Sequence, residues 1–249
     1  MSVIAENLQR VQTRIQAACQ AAGRDPASVR LLAVSKTFGA GDVRQAHAAG
    51  QTAFGENYIQ EGVDKIQALQ DLDLEWHCIG PIQSNKTRLV AEHFDWVHSI
   101  DRLKTAERLS AQRPATMAPL QVCIQVNIDG GENKSGVLPE QTLALAQAVA
   151  ALPQLQLRGI MTIPEPHDDM ALTRAVHAQA HALWLQLKSQ GLNMDTLSMG
   201  MTADLEAAVQ EGSTMVRVGT AICGRRWARR CGFCRGADLP AVGQGLIDL

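Results

Sequence analysis

Eight short runs rich in apolar or β-branched residues recur along the 249-residue chain, and helical patterns separate them. The runs are Leu31 to Val34, Thr52 to Gly55, Trp76 to Gly80, Trp96 to Ile100, Val122 to Ile128, Leu155 to Ile163, Thr196 to Gly200 and Met215 to Ile222. Helices are expected to begin near Asp42, Asn57, Ser84, Asp101, Pro139, Asp168 and Ala203, with Gly50 and Gly191 as stops. In the helix from Asp168, the expected apolar face is Leu172, Val176, Leu183 and Leu187. Continuous apolar strands such as VCIQV and LLAV suit a parallel sheet covered by helices, because both faces of such a sheet are buried. Eight strand and helix units predict an α/β fold, a single (β/α)8 TIM-type barrel. A doubly wound open sheet is the alternative, but no G-x-G-x-x-G follows the first strand.

Ahead of the first strand, Ile4, Leu8, Val11 and Ile15 recur at helical spacing among Glu6, Arg10 and Arg14. This predicts an amphipathic N-terminal helix rather than a signal segment, and no apolar run approaches membrane-spanning length. Formal charge is −2, too near neutral for an electrostatic grip on nucleic acid or an anionic membrane, so small-molecule partners are expected. Six cysteines lie mostly within apolar segments, which predicts reduced thiols and a cytoplasmic location. Residues 1–223 read as the barrel domain. Residues 224–249 break the pattern with five arginines, scattered glycines and a C-x-x-C at Cys231 and Cys234. With no histidine following, that pair lacks the four ligands of a structural zinc site, and no metal is expected.

Substrate sites of parallel barrels lie where strands end, and Lys36 stands at such an end. Period-two alternation puts it on the face of Leu32 and Val34. It reads either as a lysine snorkelling to solvent or as a partly desolvated amine able to form a Schiff base with an aldehyde. LSMGMTADLEAAV and STMVRVGTAICG place glycine turns after the seventh and eighth strands, where barrels commonly hold phosphate. The turn residues are Ser198, Met199 and Gly200 in one and Gly219 and Thr220 in the other. Asp204 and Glu206 carry charge that would repel phosphate from the following helix, which favours the turn amides. Arg217 alternates onto the inner face, where it needs either an acidic neighbour or a ligand. A Schiff-base lysine, a phosphate cradle and an arginine facing a pyridine nitrogen are together the parts that hold pyridoxal 5′-phosphate.

LLAVSKT, FGENYIQE, WHCIGPIQSNKT, VHSID, VNI followed by NKSG, LRGIMTI, LSMGMTADLEAAV and VRVGTAICG resemble, in order and spacing, the YggS-like pyridoxal phosphate homeostasis proteins. The likeness spans about Asn7 to Gly224. It implies a barrel similar to the N-terminal domain of alanine racemase, monomeric or weakly dimeric, with the cofactor held as an internal aldimine on Lys36. It also implies Asn57 near the cofactor, phosphate near Ser198 to Gly200 and Gly219 to Thr220, and Arg217 at the pyridine nitrogen. The function implied is vitamin B6 homeostasis without established turnover, with pyridoxal phosphate-dependent apo-enzymes as partners. Lys86, Lys134 and His77 are secondary candidates, with solvated lysines and a core histidine as the plainer readings. Two other functions use the same parts: an amino-acid racemase and a cofactor-free lysine aldolase. Against the racemase, the only tyrosine is Tyr58, in FGENYIQE. Family members end soon after the segment matching TAICG, so the arginine-rich tail departs from the pattern.

Overall fold

A computed structural model describes residues 2–131 and 134–223. All eight strands are parallel and close into a barrel in chain order, β1 pairing with both β2 and β8. The first half runs β1 (Arg30–Val34), α2 (Ala40–Ala48), β2 (Ala53–Glu56), α3 (Ile59–Ala68), β3 (Glu75–Cys78), α4 (Thr87–His93), β4 (Trp96–Ile100) and α5 (Leu103–Gln112). The second half runs β5 (Leu120–Val126), α6 (Pro139–Ala150), β6 (Leu155–Thr162), α7 (Met170–Ser189), β7 (Thr196–Ser198), α8 (Leu205–Gln210), β8 (Met215–Val218) and α9 (Thr220–Cys223). The expected (β/α)8 barrel is therefore the observed one.

Helix α1 (Val3–Ala21) precedes β1, capped by the Ser2 hydroxyl, which accepts the Ala5 N–H. Its face of Ile4, Leu8, Val11 and Ile15 is buried as the spacing predicts, and each such side chain contributes about 1.5–3 kcal/mol when fully withdrawn from water. Along each strand, alternate residues pack outward under the helices, as Leu31, Ala33, Phe54, Trp76, Cys78, Val216 and Val218 do. The intervening residues fill the interior. Leu32, Ala53, Met215 and Ile79 form one apolar cluster, and Trp96, Cys123, Met161 and Ile163 another.

Three local expectations change. The eighth strand ends at Val218, and Thr220–Cys223 is a helical turn. Helix α7 buries Thr173, His177, Ala180, Trp184 and Leu187, whereas Leu172 is exposed. A carboxylate from the next unit, Asp204, accepts from His177 Nε2 at 2.9 Å, so a polar residue rather than a leucine occupies the inner face. Finally, the helix expected near Ser84 opens as a 3-10 turn, Ser84–Lys86, which leads into α4.

Gly159 permits the close approach of β6 to β7, because a Cβ there would strike the Thr196 carbonyl. Gly159→Ala is expected to cost about 2–3 kcal/mol, since neither backbone can yield. A lowered urea midpoint with unchanged slope is the measurement.

Candidate functional site

The parallel arrangement collects the C-terminal ends of all strands at one mouth. Lys36 lies two residues beyond β1, Asn57 one beyond β2, Met199 and Gly200 directly beyond β7, and Gly219 and Thr220 directly beyond β8. Because β7, β8, β1 and β2 are consecutive in the closed sheet, these residues share one sector of that mouth. Gly200 adopts φ 94°, and a Cβ on it would also collide with Ala208. A Cβ on Gly219 would come within 3.1 Å of the Val34 carbonyl, so this glycine lets the β8 turn lie against the end of β1. Both acids of the α8 region have partners: Glu206 pairs with Arg14 at 2.8 Å, and Asp204 accepts from His177 Nε2 at 2.9 Å. Asp204 also accepts the Met201 N–H at 2.7 Å, which closes the turn after β7.

Arg217 is 4% exposed and points inward. Its Nη1 donates to Ser198 Oγ and its Nη2 to the Thr162 carbonyl, both at 2.8 Å. Both acceptors are neutral, so the alternative of a direct salt bridge is not the one observed. Burial lowers its pKa to about 10, partly opposed by the charge of Asp204, and it remains a cation at neutral pH.

Ser198 belongs to the interior rather than to the turn, since its hydroxyl joins Arg217 to a buried histidine pair. His98 Nδ1 lies 3.1 Å from Ser198 Oγ, His98 Nε2 lies 2.9 Å from His77 Nδ1, and His77 Nε2 lies 2.6 Å from Glu75 Oε1. Burial pushes both histidine pKa values down, His98 well below its usual value, so both rings are neutral. Burial alone would raise the Glu75 carboxyl, but the His77 hydrogen bond and the Arg30 guanidinium at 2.7 Å hold it at about 2. An ionised acceptor at one end and a cationic donor at the other leave one consistent direction. Arg217 donates to Ser198, Ser198 to His98 Nδ1, His98 Nε2–H to His77 Nδ1, and His77 Nε2–H to Glu75. His77 is thus buried with both ring nitrogens hydrogen-bonded inside the barrel. His98 was not singled out from the sequence, although its parity in β4 matches that of His77 in the neighbouring strand.

The secondary lysines lie elsewhere on the rim. Lys86 sits in the 3-10 turn after β3. Lys134, after β5, donates to Asp129 at 2.8 Å and to the Ile163 carbonyl at 3.0 Å. Among the described residues, no group of three or more His, Cys, Asp or Glu side chains could hold a metal ion. No described helix is long and apolar enough to cross a membrane. Cys231, Cys234 and the rest of 224–249 lie outside the described residues.

The sequence profile described as "Alanine racemase, N-terminal domain" matches residues 6–226. A Pseudomonas aeruginosa relative named pyridoxal phosphate homeostasis protein is 60% identical over 226 residues, covering 91% of this chain and 97% of its own length. The chain belongs to the pyridoxal phosphate homeostasis protein family. An Escherichia coli member of that name is 53% identical over 91% of this chain and 98% of its own. Among solved structures, PipY of Synechococcus elongatus, determined with pyridoxal phosphate (PLP) bound, is 40% identical. Its TM-score is 0.78, and the match covers 88% of this chain and 99% of PipY. An alanine racemase from Clostridium difficile shares the barrel at TM-score 0.73 and 15% identity, a likeness of fold alone. For this homeostasis-family barrel, acid should act through the interior chain. The depressed histidine pKa values contribute stability that is lost as pH falls below about 6.5. The depressed Glu75 pKa contributes stability lost between about 4.5 and about 2. Glu75→Gln is expected to flatten the second part of the acid-unfolding curve followed by circular dichroism.

Proposed function

We propose that this chain binds pyridoxal 5′-phosphate and serves vitamin B6 homeostasis, with Lys36 as the covalent attachment point. The observation that carries the reading is the gathering of Lys36, Asn57, two glycine turns and a buried, charged Arg217 on one sector of the barrel mouth. The residues fit the group: Asn57 Oδ1 is buried without a hydrogen-bond partner, and an inward guanidinium with only neutral acceptors suits an electron-rich ring nitrogen.

Bound there, the cofactor supplies an aldehyde. Lys36 would hold the group covalently by offering its Nζ amine to that aldehyde, water being the leaving group. Arg217 would face the pyridine nitrogen and, being cationic, would oppose protonation of that atom, which would make the ring a weak electron sink. The turns at Gly200 and Gly219–Thr220 would offer backbone N–H groups to the phosphate, the Met199 N–H being donated to the Met215 carbonyl at 3.2 Å. Ser198 contributes indirectly, through the hydrogen bond that orients Arg217. This chemistry favours holding and releasing the cofactor over turning over amino acids. Handing it to PLP-dependent apo-enzymes in the cytoplasm belongs to the same proposal. Cys19, Cys78, Cys123 and Cys223 are free thiols, and burial pushes Cys78 and Cys123 up to about 12, which keeps them unreactive toward the aldehyde.

Protein mixed with pyridoxal phosphate is expected to show the visible absorption of a lysine-bound cofactor. Borohydride reduction followed by peptide mass spectrometry should place the adduct on Lys36. Lys36→Ala should lose the band while keeping its far-UV spectrum. A persistent band in that variant, or an adduct on Lys86 or Lys134, would refute the assignment. Racemisation of an L-amino acid by the loaded protein would favour the enzyme reading instead.

A further inference from the structure

The motif FGENYIQE contributes Asn57 to the site, but its two acids point to something else. Glu56, the last residue of β2, is fully buried on the helix-facing side, and Glu61 lies in the first turn of α3. Between them sits Lys65, 5% exposed, one helical turn beyond Glu61. Its Nζ donates to Glu56 Oε1 at 2.7 Å, to Glu61 Oε1 at 2.8 Å and to the carbonyl of Ser35 at 2.6 Å.

The same cluster holds both residues that flank Lys36. Ser35 Oγ donates to Glu56 Oε1 at 2.5 Å, and the Thr37 N–H donates to Glu61 Oε1 at 2.6 Å. Thr37 has φ 66°, a left-handed conformation that a β-branched residue rarely adopts, so the turn needs an external hold. Burying Glu56 and Lys65 beside the partly exposed Glu61 is costly and does little for stability that an apolar cluster could not do as well. Their geometry instead fixes the backbone before and after a single side chain.

We propose that Glu56, Glu61 and Lys65 are positioning residues that clamp the Ser35–Thr37 turn and so aim Lys36 Nζ at the carbonyl carbon of its ligand. The proposal rests on Lys36 being the attachment point. None of the three touches the ligand. They act through the backbone, and their effect falls on formation of the covalent bond rather than on recognition of phosphate or ring.

The full-length chain carrying Glu61→Ala tests this, with Glu61→Gln as the conservative control, because a Gln Oε1 still accepts from Thr37 and Lys65. In Glu61→Ala the visible band is expected to develop at least about tenfold more slowly after mixing with pyridoxal phosphate, as misplacement of a reacting group by about 1 Å implies. Binding of pyridoxine 5′-phosphate, which carries an alcohol instead of the aldehyde, should be unchanged. The Thr37 amide of the cofactor-free protein should exchange faster with deuterium, and Glu61→Gln should restore wild-type behaviour in all three measurements. Lys65→Met, which removes the ammonium beneath Ser35, should slow the band in the same direction and serves if Glu61→Ala does not fold. A wild-type rate in the variants, or an equal loss of pyridoxal and pyridoxine phosphate binding, would overturn the clamp while leaving Lys36 as the attachment point. Attachment of the wild-type protein at another lysine would overturn both.

Discussion

Closure of the sheet between β1 and β8 is the constraint from which the site follows. That pairing sets Leu32 opposite Arg217 and Ala33 opposite Val218. It brings the first strand, which carries the Lys36 turn, against the last, which carries the arginine. Once the barrel is closed, Arg217 is almost wholly withdrawn from solvent and finds its acceptors inside. The adjacent strands β7 and β6 supply them as Ser198 Oγ and the Thr162 carbonyl.

The arginine's burial shapes the rest of the interior. A neutral hydroxyl that accepts from a guanidinium needs somewhere to send its own proton, and the His98–His77 pair carries that requirement to Glu75 and Arg30, at the opposite end of the barrel. This polar chain runs beside two small apolar clusters, so the barrel is filled rather than hollow and each buried polar atom of the chain is paired. The outer layer solves a second problem in the same way. Glu56 and Glu61 are joined through the Lys65 ammonium beneath α3 while gripping the backbone around Lys36. One network orients the arginine, and the other holds the lysine turn.

Much of this is legible in the sequence. The eight apolar runs, the amphipathic first helix and the parity of Arg217 follow from local periodicity, which is a property of neighbouring residues. The position of Lys36 and of the glycine turns at strand ends follows from the same periodicity. The errors have a common source. In α7 the apolar residues suggested a face through Leu172, but the buried face runs through His177, because Asp204 in a different unit pairs with it. Ser198 was read as a turn residue, yet its hydroxyl is claimed by Arg217 and His98.

Periodicity and residue chemistry thus determined the architecture and named the lysine, the arginine and the turns. Tertiary structure alone decided which polar groups satisfy one another. Lys65, His98 and Glu75 carry no local signal, since a lysine on a helix and a histidine or glutamate in a strand are usually solvated. Burial of Lys65 and His98 depends on partners that lie far away in the sequence or across a strand-to-helix junction. Desolvating a charge is unfavourable until that partner arrives, and only closure of the barrel brings it.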